Sequence, residues 1–126
     1  MTYAPELGMD ANEAARIAAP FGAGMSRMGW TCGAVSGALM VIGMRYGHEA
    51  GTDYETKERL FQLSQTFLVE FEAHHGSVVC RDLLGRDLSL PGELEQIREE
   101  GTFELLCPKL VGDAVEILET ILSSGS

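Results

Sequence analysis

Several features that would give a small protein an immediate identity are scarce in this chain. Three cysteines among 126 residues are too few, and odd in number, for the disulfide framework of a secreted mini-protein. Nine Lys and Arg residues face nineteen Asp and Glu residues, which gives a formal net charge of −10. This acidic balance argues against nucleic acid or an anionic membrane surface as a partner, because both need a basic patch.

Targeting and membrane-spanning signals are also missing from the pattern. The first six residues lack the basic and apolar regions of a signal peptide. The most apolar run, residues 38–44, ends at Arg45 and is far shorter than the ~20 residues of a spanning helix. We therefore expect no membrane partner and a cytosolic, reducing compartment. The length predicts a single domain over residues 1–126 with a core that needs no covalent support.

What the sequence does contain is helical periodicity. Capping residues, apolar repeats at three- and four-residue steps and stop signals delimit the predicted helices. These lie at residues 11–19, 33–46, 52–75, within 77–84, at 91–100 and from about 108. No pair of strands is evident. The predicted fold class is all-α, a compact bundle of about five helices around a buried, Gly- and Ala-rich central helix at 33–46.

The boundaries of these helices depend on local signals. Asp10 and Thr52 each precede a glutamate by three residues, as in a capping box. Thr31 is the predicted cap of the central helix, and Gly47 is its predicted C-terminal stop. Pro108 is the predicted first-turn residue of the last helix, because proline lacks the N–H that a first turn leaves unpaired.

Small residues are concentrated in the central helix, at Gly33, Ser36, Gly37 and Gly43. An interior glycine costs about 0.5–1 kcal/mol relative to alanine, so several in one helix indicate a compensating gain. Two interpretations are open. The bare face permits tight packing of neighbouring helices, or a ligand or cluster lies against it, in which case Gly33 and Gly37 are the cofactor contacts.

The three cysteines share a predicted placement, although no CxxC pair occurs. Cys32, Cys80 and Cys107 each fall at the start of a predicted helix. Unpaired N–H groups and the helix dipole favour negative charge there, so a thiolate gains and its pKa falls. Arg81 and Lys109 stand close in sequence and add to this effect. The alternative is that the cysteines are buried and pack as small hydrophobic side chains.

Two further groups of residues were weighed as binding sites. Residues 21–29 are predicted to form a glycine-rich loop in which Arg27 could bind an anion. Neither the GxGxxG dinucleotide pattern nor a Walker motif is present there. His74 and His75 close the long helix at 52–75, where a cation is favourable and a solvated cap is expected.

Four segments, in order, resemble the bacterial and archaeal family named for its C, GCAxxG, C, C pattern, whose members are described as redox-active. They are FGAGM at 21–25, TCGAVSGALM at 31–40 followed by IGMRYG at 42–47, CRDLLG at 80–85, and CPKLV at 107–111. The resemblance covers nearly the whole chain from about residue 5. It implies a cysteine-based redox or metal site formed by Cys32, Cys80 and Cys107.

The sequence departs from this family at its start. The family's first cysteine lies in an N-terminal helix, upstream of the segment that matches residues 3–10 here. We therefore expect that helix, and its cysteine, to be absent from this chain. A face that the helix would cover is then exposed, which predicts a possible homo-oligomer.

Three functions follow as hypotheses. The first is a redox protein that uses thiol/disulfide chemistry at Cys32, Cys80 and Cys107, with a partner protein or a small molecule as its redox substrate. The second is a binding module in which these cysteines hold a metal ion or an iron–sulfur cluster. The third is a helical scaffold or small-ligand carrier whose cysteines are structural.

Overall fold

The computed structural model describes residues 8–47, 54–87 and 89–124, and within these ranges the chain is helical. The helices are α1 (Ala11–Ala18), α2 (Gly22–Met25), α3 (Gly33–Tyr46), α4 (Tyr54–His75), α5 (Cys80–Leu84), α6 (Glu93–Glu100) and α7 (Thr102–Ser124), with a 3₁₀ turn at Ala19–Phe21. The described residues form no strand beyond one isolated bridge. The all-α prediction is confirmed, and α2 and α5 are single short turns.

The core is formed by α3, α4 and α7, each of which packs against the other two. Val35 and Ile42 of α3 and Phe67 and Phe71 of α4 are completely buried. α7 adds an apolar stripe at three- and four-residue steps, composed of Leu110, Ala114, Ile117, Leu118 and Ile121. Each leucine, isoleucine, valine or phenylalanine among them contributes roughly 1.5–3 kcal/mol when removed from water. The prediction of a buried central helix is confirmed, because α3 lies against both longer helices.

Most predicted stop signals coincide with the observed ends. α3 spans residues 33–46 as predicted, and α4 ends at His75 before Gly76, which has a φ of +82°. Asp10 caps α1 by accepting the N–H of Asn12 at 2.9 Å. The predicted capping residue Thr52 lies outside the described residues. None of the described helices is both long and apolar enough to cross a bilayer.

The last helix begins six residues before its predicted start. Gly101, with a φ of +69°, ends α6, and α7 follows at Thr102 without a connecting loop. The N–H of Leu105 already donates to the carbonyl of Gly101 at 3.1 Å. Pro108 therefore lies inside α7, where it provides no N–H for the carbonyl of Glu104. The predicted start was wrong because proline usually marks the first turn of a helix, whereas Pro108 lies in the interior of α7.

The segment at 21–29 is not a continuous loop. It contains α2. From the last residue of that turn, three successive non-glycine residues, Met25, Ser26 and Arg27, have positive φ values of 65°, 57° and 69°. This conformation costs roughly 1–2 kcal/mol for each non-glycine residue. The hydroxyl of Ser26 donates to the carbonyl of Pro20 at 2.7 Å and holds the turn.

The ends of α3 also differ from the prediction in detail. Cys32, and not Thr31, is the N-cap, and its side chain makes no capping hydrogen bond. Thr31 instead forms the antiparallel bridge with Val79. Gly47 follows α3 with a φ of −67°, so it does not adopt the left-handed conformation that a C-terminal glycine usually supplies.

Two of the glycines in α3 have no close neighbour. A Cβ added at Gly37 or Gly43 would meet no atom within 4 Å, whereas one added at Gly33 would lie 3.6 Å from the Cα of Gly22. The interpretation of the bare face as a tight packing surface therefore holds only at the start of the helix.

We predict that Gly37→Ala and Gly43→Ala each raise the free energy of unfolding by about 0.5–1 kcal/mol, because alanine loses less backbone entropy in a helix. Urea denaturation followed by circular dichroism measures the change. A loss of stability in either variant would show that a neighbour occupies the space beside the helix.

Candidate functional site

Two of the predicted site residues are joined by backbone pairing between distant parts of the chain. The N–H of Cys32 donates to the carbonyl of Val78 at 2.8 Å, and the N–H of Cys80 donates to the carbonyl of Trp30. The bridge between Thr31 and Val79 lies between these two hydrogen bonds. We call this pairing of residues 29–32 with 78–81 the cysteine ribbon.

The cysteine ribbon orients both thiols in the same direction. Successive side chains of an extended segment point to opposite faces, so Cys32 and Cys80 lie on the face opposite Thr31 and Val79. They occupy diagonal positions of the pair, which are typically about 7–8 Å apart between Cα atoms. Both side chains are buried, and each stands where the ribbon passes into a helix, α3 or α5.

Gly24 of α2 packs closely against the cysteine ribbon. A Cβ at this position would lie 2.6 Å from the Cβ of Cys80 and 2.7 Å from the backbone nitrogen of Trp30. Gly24 also has a φ of +69° and accepts a hydrogen bond from the N–H of Trp30 at 2.9 Å. The chain therefore needs glycine here both for its backbone angle and for its contact with Cys80.

Cys107 reaches the site from α7. The predicted placement at a helix start is correct for Cys32, the N-cap of α3, and for Cys80, the first residue of α5, but it is wrong for Cys107. Because α7 begins at Thr102, Cys107 lies in the helix interior, where it is partly exposed.

All three cysteines line one cavity of about 480 Å³, which we call the cysteine cavity. Most of its remaining wall is apolar and comes from α5, α6 and α7, through Leu83, Leu84, Leu94, Leu110 and Val111. Gly33 lines the cavity, whereas Gly37 is not among its lining residues. Of the two glycines predicted as cofactor contacts, only Gly33 therefore lines the same cavity as the cysteines.

The charged residues that line the cysteine cavity are Arg27 and Arg98. The sequence names Arg27 as a candidate anion-binding residue, but Arg98 received no role there. The missed signal was spacing: Leu94 and Arg98 are four residues apart and share one face of α6. Gly24 was likewise not distinguished from the other glycines nearby.

The pKa values of two thiols move in the direction opposite to the one expected. Burial raises the pKa of Cys80 to about 11, and the neighbouring Cys32 and Cys107 add to the shift. Burial also raises the pKa of Cys107, with smaller contributions from Cys32 and Glu104. The expectation of lowered values was wrong because removal of water from a thiolate outweighs the dipole of α5, which has only five residues.

The other candidate ligands lie elsewhere. Nε2 of His75 is 3.1 Å from Oδ2 of Asp113, which links α4 to α7, so this histidine is not simply a solvated cap. His74 lines a different cavity, together with Glu70 and Asp113. Across residues 8–47, 54–87 and 89–124, no three His, Cys, Asp or Glu side chains are arranged to hold a metal ion. The metal hypothesis receives no geometric support from these residues.

We predict that Gly24→Ala lowers the free energy of unfolding by about 2–4 kcal/mol, because it combines an unfavourable φ with contacts against backbone atoms that cannot move away. Gly22→Ala is the matched control, since an added Cβ there meets nothing within 4 Å. Urea denaturation compares the two variants. Equal stability of both would contradict the close approach of Gly24 to Cys80.

We also predict that alkylation of Cys80 by iodoacetamide, mapped by mass spectrometry, reaches half of its maximal rate near pH 11 in the folded chain. The denatured chain should reach it near the ordinary value of 9.0. Below pH 9 the neutral thiol is present in both states, and the stability due to its burial is complete. That stability, at most about 3 kcal/mol, is lost as the pH rises from 9 to 11.

The Cys80→Ala variant is the control for this pH dependence. It keeps the Cβ that contacts Gly24 and removes the titrating sulfur. Its unfolding free energy should fall less than that of the parent between pH 9 and pH 11. Identical pH profiles would contradict the raised pKa.

Comparison with known proteins identifies a family. The family described as "Putative redox-active protein (C_GCAxxG_C_C)" matches residues 1–121. Neither the curated proteins nor the solved structures yield a match. The matched range includes Cys32, Cys80 and Cys107. The chain therefore belongs to the C_GCAxxG_C_C family.

Proposed function

We propose that the chain is a thiol–disulfide redox protein in which Cys32, Cys80 and Cys107 act as one site. The observation that supports this most directly is that three cysteines from separate segments line the same cavity. Cysteines that only fill a core would not need to share an opening. The proposal agrees with the reducing, cytosolic compartment expected from the sequence, where free thiols persist.

Cys32 has the central role in this proposal. The negative charge of an ionised Cys32 raises the pKa of both Cys80 and Cys107. Cys32 is therefore near enough to both to affect their charge. It also stands at the N-terminus of α3, a helix of fourteen residues whose dipole favours an anion at this end. Cys32 is therefore proposed as the thiol that attacks the substrate disulfide.

Cys80 is proposed as the resolving thiol. Because diagonal Cα atoms of a paired ribbon are typically farther apart than the roughly 4.4–6.8 Å of a disulfide, this bond requires a local movement of the cysteine ribbon. Attack by the Cys32 thiolate forms a bond to one substrate sulfur, breaks the substrate disulfide and releases the other half as a thiolate. Cys80, after losing its proton to solvent or to the departing thiolate, attacks the Cys32 sulfur and releases the second half. Two protein thiols are thereby oxidised to one disulfide, and one substrate disulfide is reduced to two thiols.

The coupling of charges gives these steps an order. While Cys32 is a thiolate, its negative charge helps to keep Cys80 protonated. Once Cys32 is part of a mixed disulfide, that charge is gone and only the effects of burial and of Cys107 remain. Cys80 then ionises more readily, so the resolving thiol becomes more reactive after the first step.

The cysteine cavity itself also favours a second candidate, a small-ligand carrier in which the thiols are structural. Its mostly apolar wall and its volume suit a small molecule. The two candidates differ in whether the thiols react in the folded protein. They are separated by the following experiment.

We predict that equilibration of the reduced protein with mixtures of reduced and oxidised dithiothreitol removes two thiols per chain and leaves one. Intact-mass and peptide mapping should find a monomer in which Cys32 is bonded to Cys80. Cys107→Ser should form the same Cys32–Cys80 bond and keep no free thiol, and either Cys32→Ser or Cys80→Ser should prevent the bond. Circular dichroism checks that the variants remain helical.

Three thiols that persist at every ratio in a folded chain would refute the redox proposal and leave the carrier. Bonds formed only between chains would contradict an intramolecular site. A bond between Cys32 and Cys107 in the parent protein would retain the redox function and reject Cys80 as its resolving residue.

A further inference from the structure

The redox proposal leaves Arg27 and Arg98 without a role. Both line the cysteine cavity, one from the turn after α2 and the other from α6. Both are exposed, whereas Cys32 and Cys80 are buried, so the two arginines lie at the open side of the cavity and these sulfurs lie deeper. A small molecule that enters the cavity therefore meets two positive charges in its lining.

The charge at this opening contrasts with the rest of the chain. The formal net charge of the protein is −10, yet no acidic residue lines the cavity among the described residues. Nearby Arg86 shows how arginines are otherwise used here, since it pairs with Glu93 at 3.2 Å and with Glu100 at 2.7 Å. Within the described parts of the chain, Arg27 and Arg98 have no such carboxylate partner.

Arg27 is also held in an unfavourable backbone conformation. It is the last of three successive non-glycine residues with positive φ, and the turn is fixed by the hydrogen bonds from Ser26 to Pro20 and from Trp30 to Gly24. The same turn brings Gly24 against Cys80. The segment with these unfavourable backbone angles therefore places two residues at the cavity: Gly24, which contacts Cys80, and Arg27, which is positively charged.

We propose that the cysteine cavity takes small organic disulfides whose apolar body carries a carboxylate, and that Arg27 and Arg98 bind this carboxylate. This inference rests on the proposed redox function and names its substrate class. The planar guanidinium donates paired N–H groups that match the two oxygens of a carboxylate. The leucine wall, formed by Leu83, Leu84, Leu94 and Leu110, receives the apolar body.

The reaction in this complex is the first exchange step. The carboxylate is held at the opening, and the disulfide extends toward Cys32. The Cys32 thiolate, its proton already released to solvent, bonds to one sulfur of the substrate. The substrate S–S bond breaks, and the other half leaves as a thiolate with the electron pair. Arg27 and Arg98 touch the substrate but exchange no proton or electron.

The test compares two disulfide reagents that differ in charge. Dithiobis(nitrobenzoate) has aromatic rings with carboxylates, and dithiodipyridine has aromatic rings and is neutral at neutral pH. Stopped-flow absorbance gives the rate at which each reagent reacts with the folded, reduced protein. Each rate is divided by the rate of N-acetylcysteine with the same reagent, which removes the intrinsic reactivity of the reagent.

We expect the normalised rate of the parent protein to be at least about tenfold higher for the carboxylate reagent than for the neutral one, although the net charge of the chain repels anions. Arg27→Gln and Arg98→Gln should each lower this ratio about fivefold, and the double variant about twentyfold, with the neutral reagent little affected. Arg16→Gln on α1 is the matched control for net charge and should leave the ratio unchanged. Arg27→Lys and Arg98→Lys should recover part of the ratio, because they restore the charge without the paired donors.

A competition measurement identifies the anion. Benzoate should slow the carboxylate reagent, whereas inorganic phosphate at equal ionic strength should not, because phosphate has no apolar body for the leucine wall. Equal inhibition by both would refute the apolar part of the proposal.

The outcomes separate this inference from the function beneath it. If neither reagent modifies Cys32 in the folded protein, the redox proposal itself fails. If both reagents react, and the ratio is near one or is unchanged in the double Gln variant, the redox function stands and the carboxylate substrate is refuted. A parallel loss with both reagents would likewise refute binding, since it shows that the arginines act on the thiols instead.

Discussion

The site depends on the backbone pairing of the cysteine ribbon. Its hydrogen bonds join the residues that precede α3 to those that begin α5, and one of its faces carries the two buried thiols. α3 belongs to the central core, whereas Cys80 and the residues around α5 and α6 form a smaller apolar cluster. The ribbon is therefore the link between the stable part of the molecule and the part that opens onto the cysteine cavity.

The electrostatics of the site result from a competition between burial and position. A helix start favours a thiolate, but an apolar enclosure disfavours it more strongly at Cys80, whose pKa rises to about 11. Cys32 stands at the N-terminus of a full-length helix, and Cys107 lies in the interior of another. Three chemically identical side chains thus occupy three distinct environments around a single cavity, which is the condition for giving them separate roles.

Local signals predicted α3 and α4 well, because caps, glycine stops and apolar periodicity all act within a few residues of the chain. The family was also evident from the ordered cysteine segments, and the match over residues 1–121 confirms it. The start of α7 and the position of Cys107 were missed, because a proline inside a long packed helix leaves no local trace of the helix before it. Tertiary contacts form the cysteine ribbon and place Arg98 in the lining of the cavity, so local sequence signals do not reveal them. A pairing as short as the ribbon also has no alternating pattern in the sequence.

The spacing of the ribbon along the chain has a consequence for folding. Its two halves are separated by α3 and α4, so the pairing of Cys32 with Val78 closes a long loop. Closing that loop has an entropic cost, which comes before the hydrogen bonds of the ribbon are gained. The packing of α3 against α4 brings the two ends together. The thiols consequently meet only in a chain whose core has already formed. Reactivity at this cavity would therefore report on completed folding, and an incompletely folded chain would present three independent cysteines.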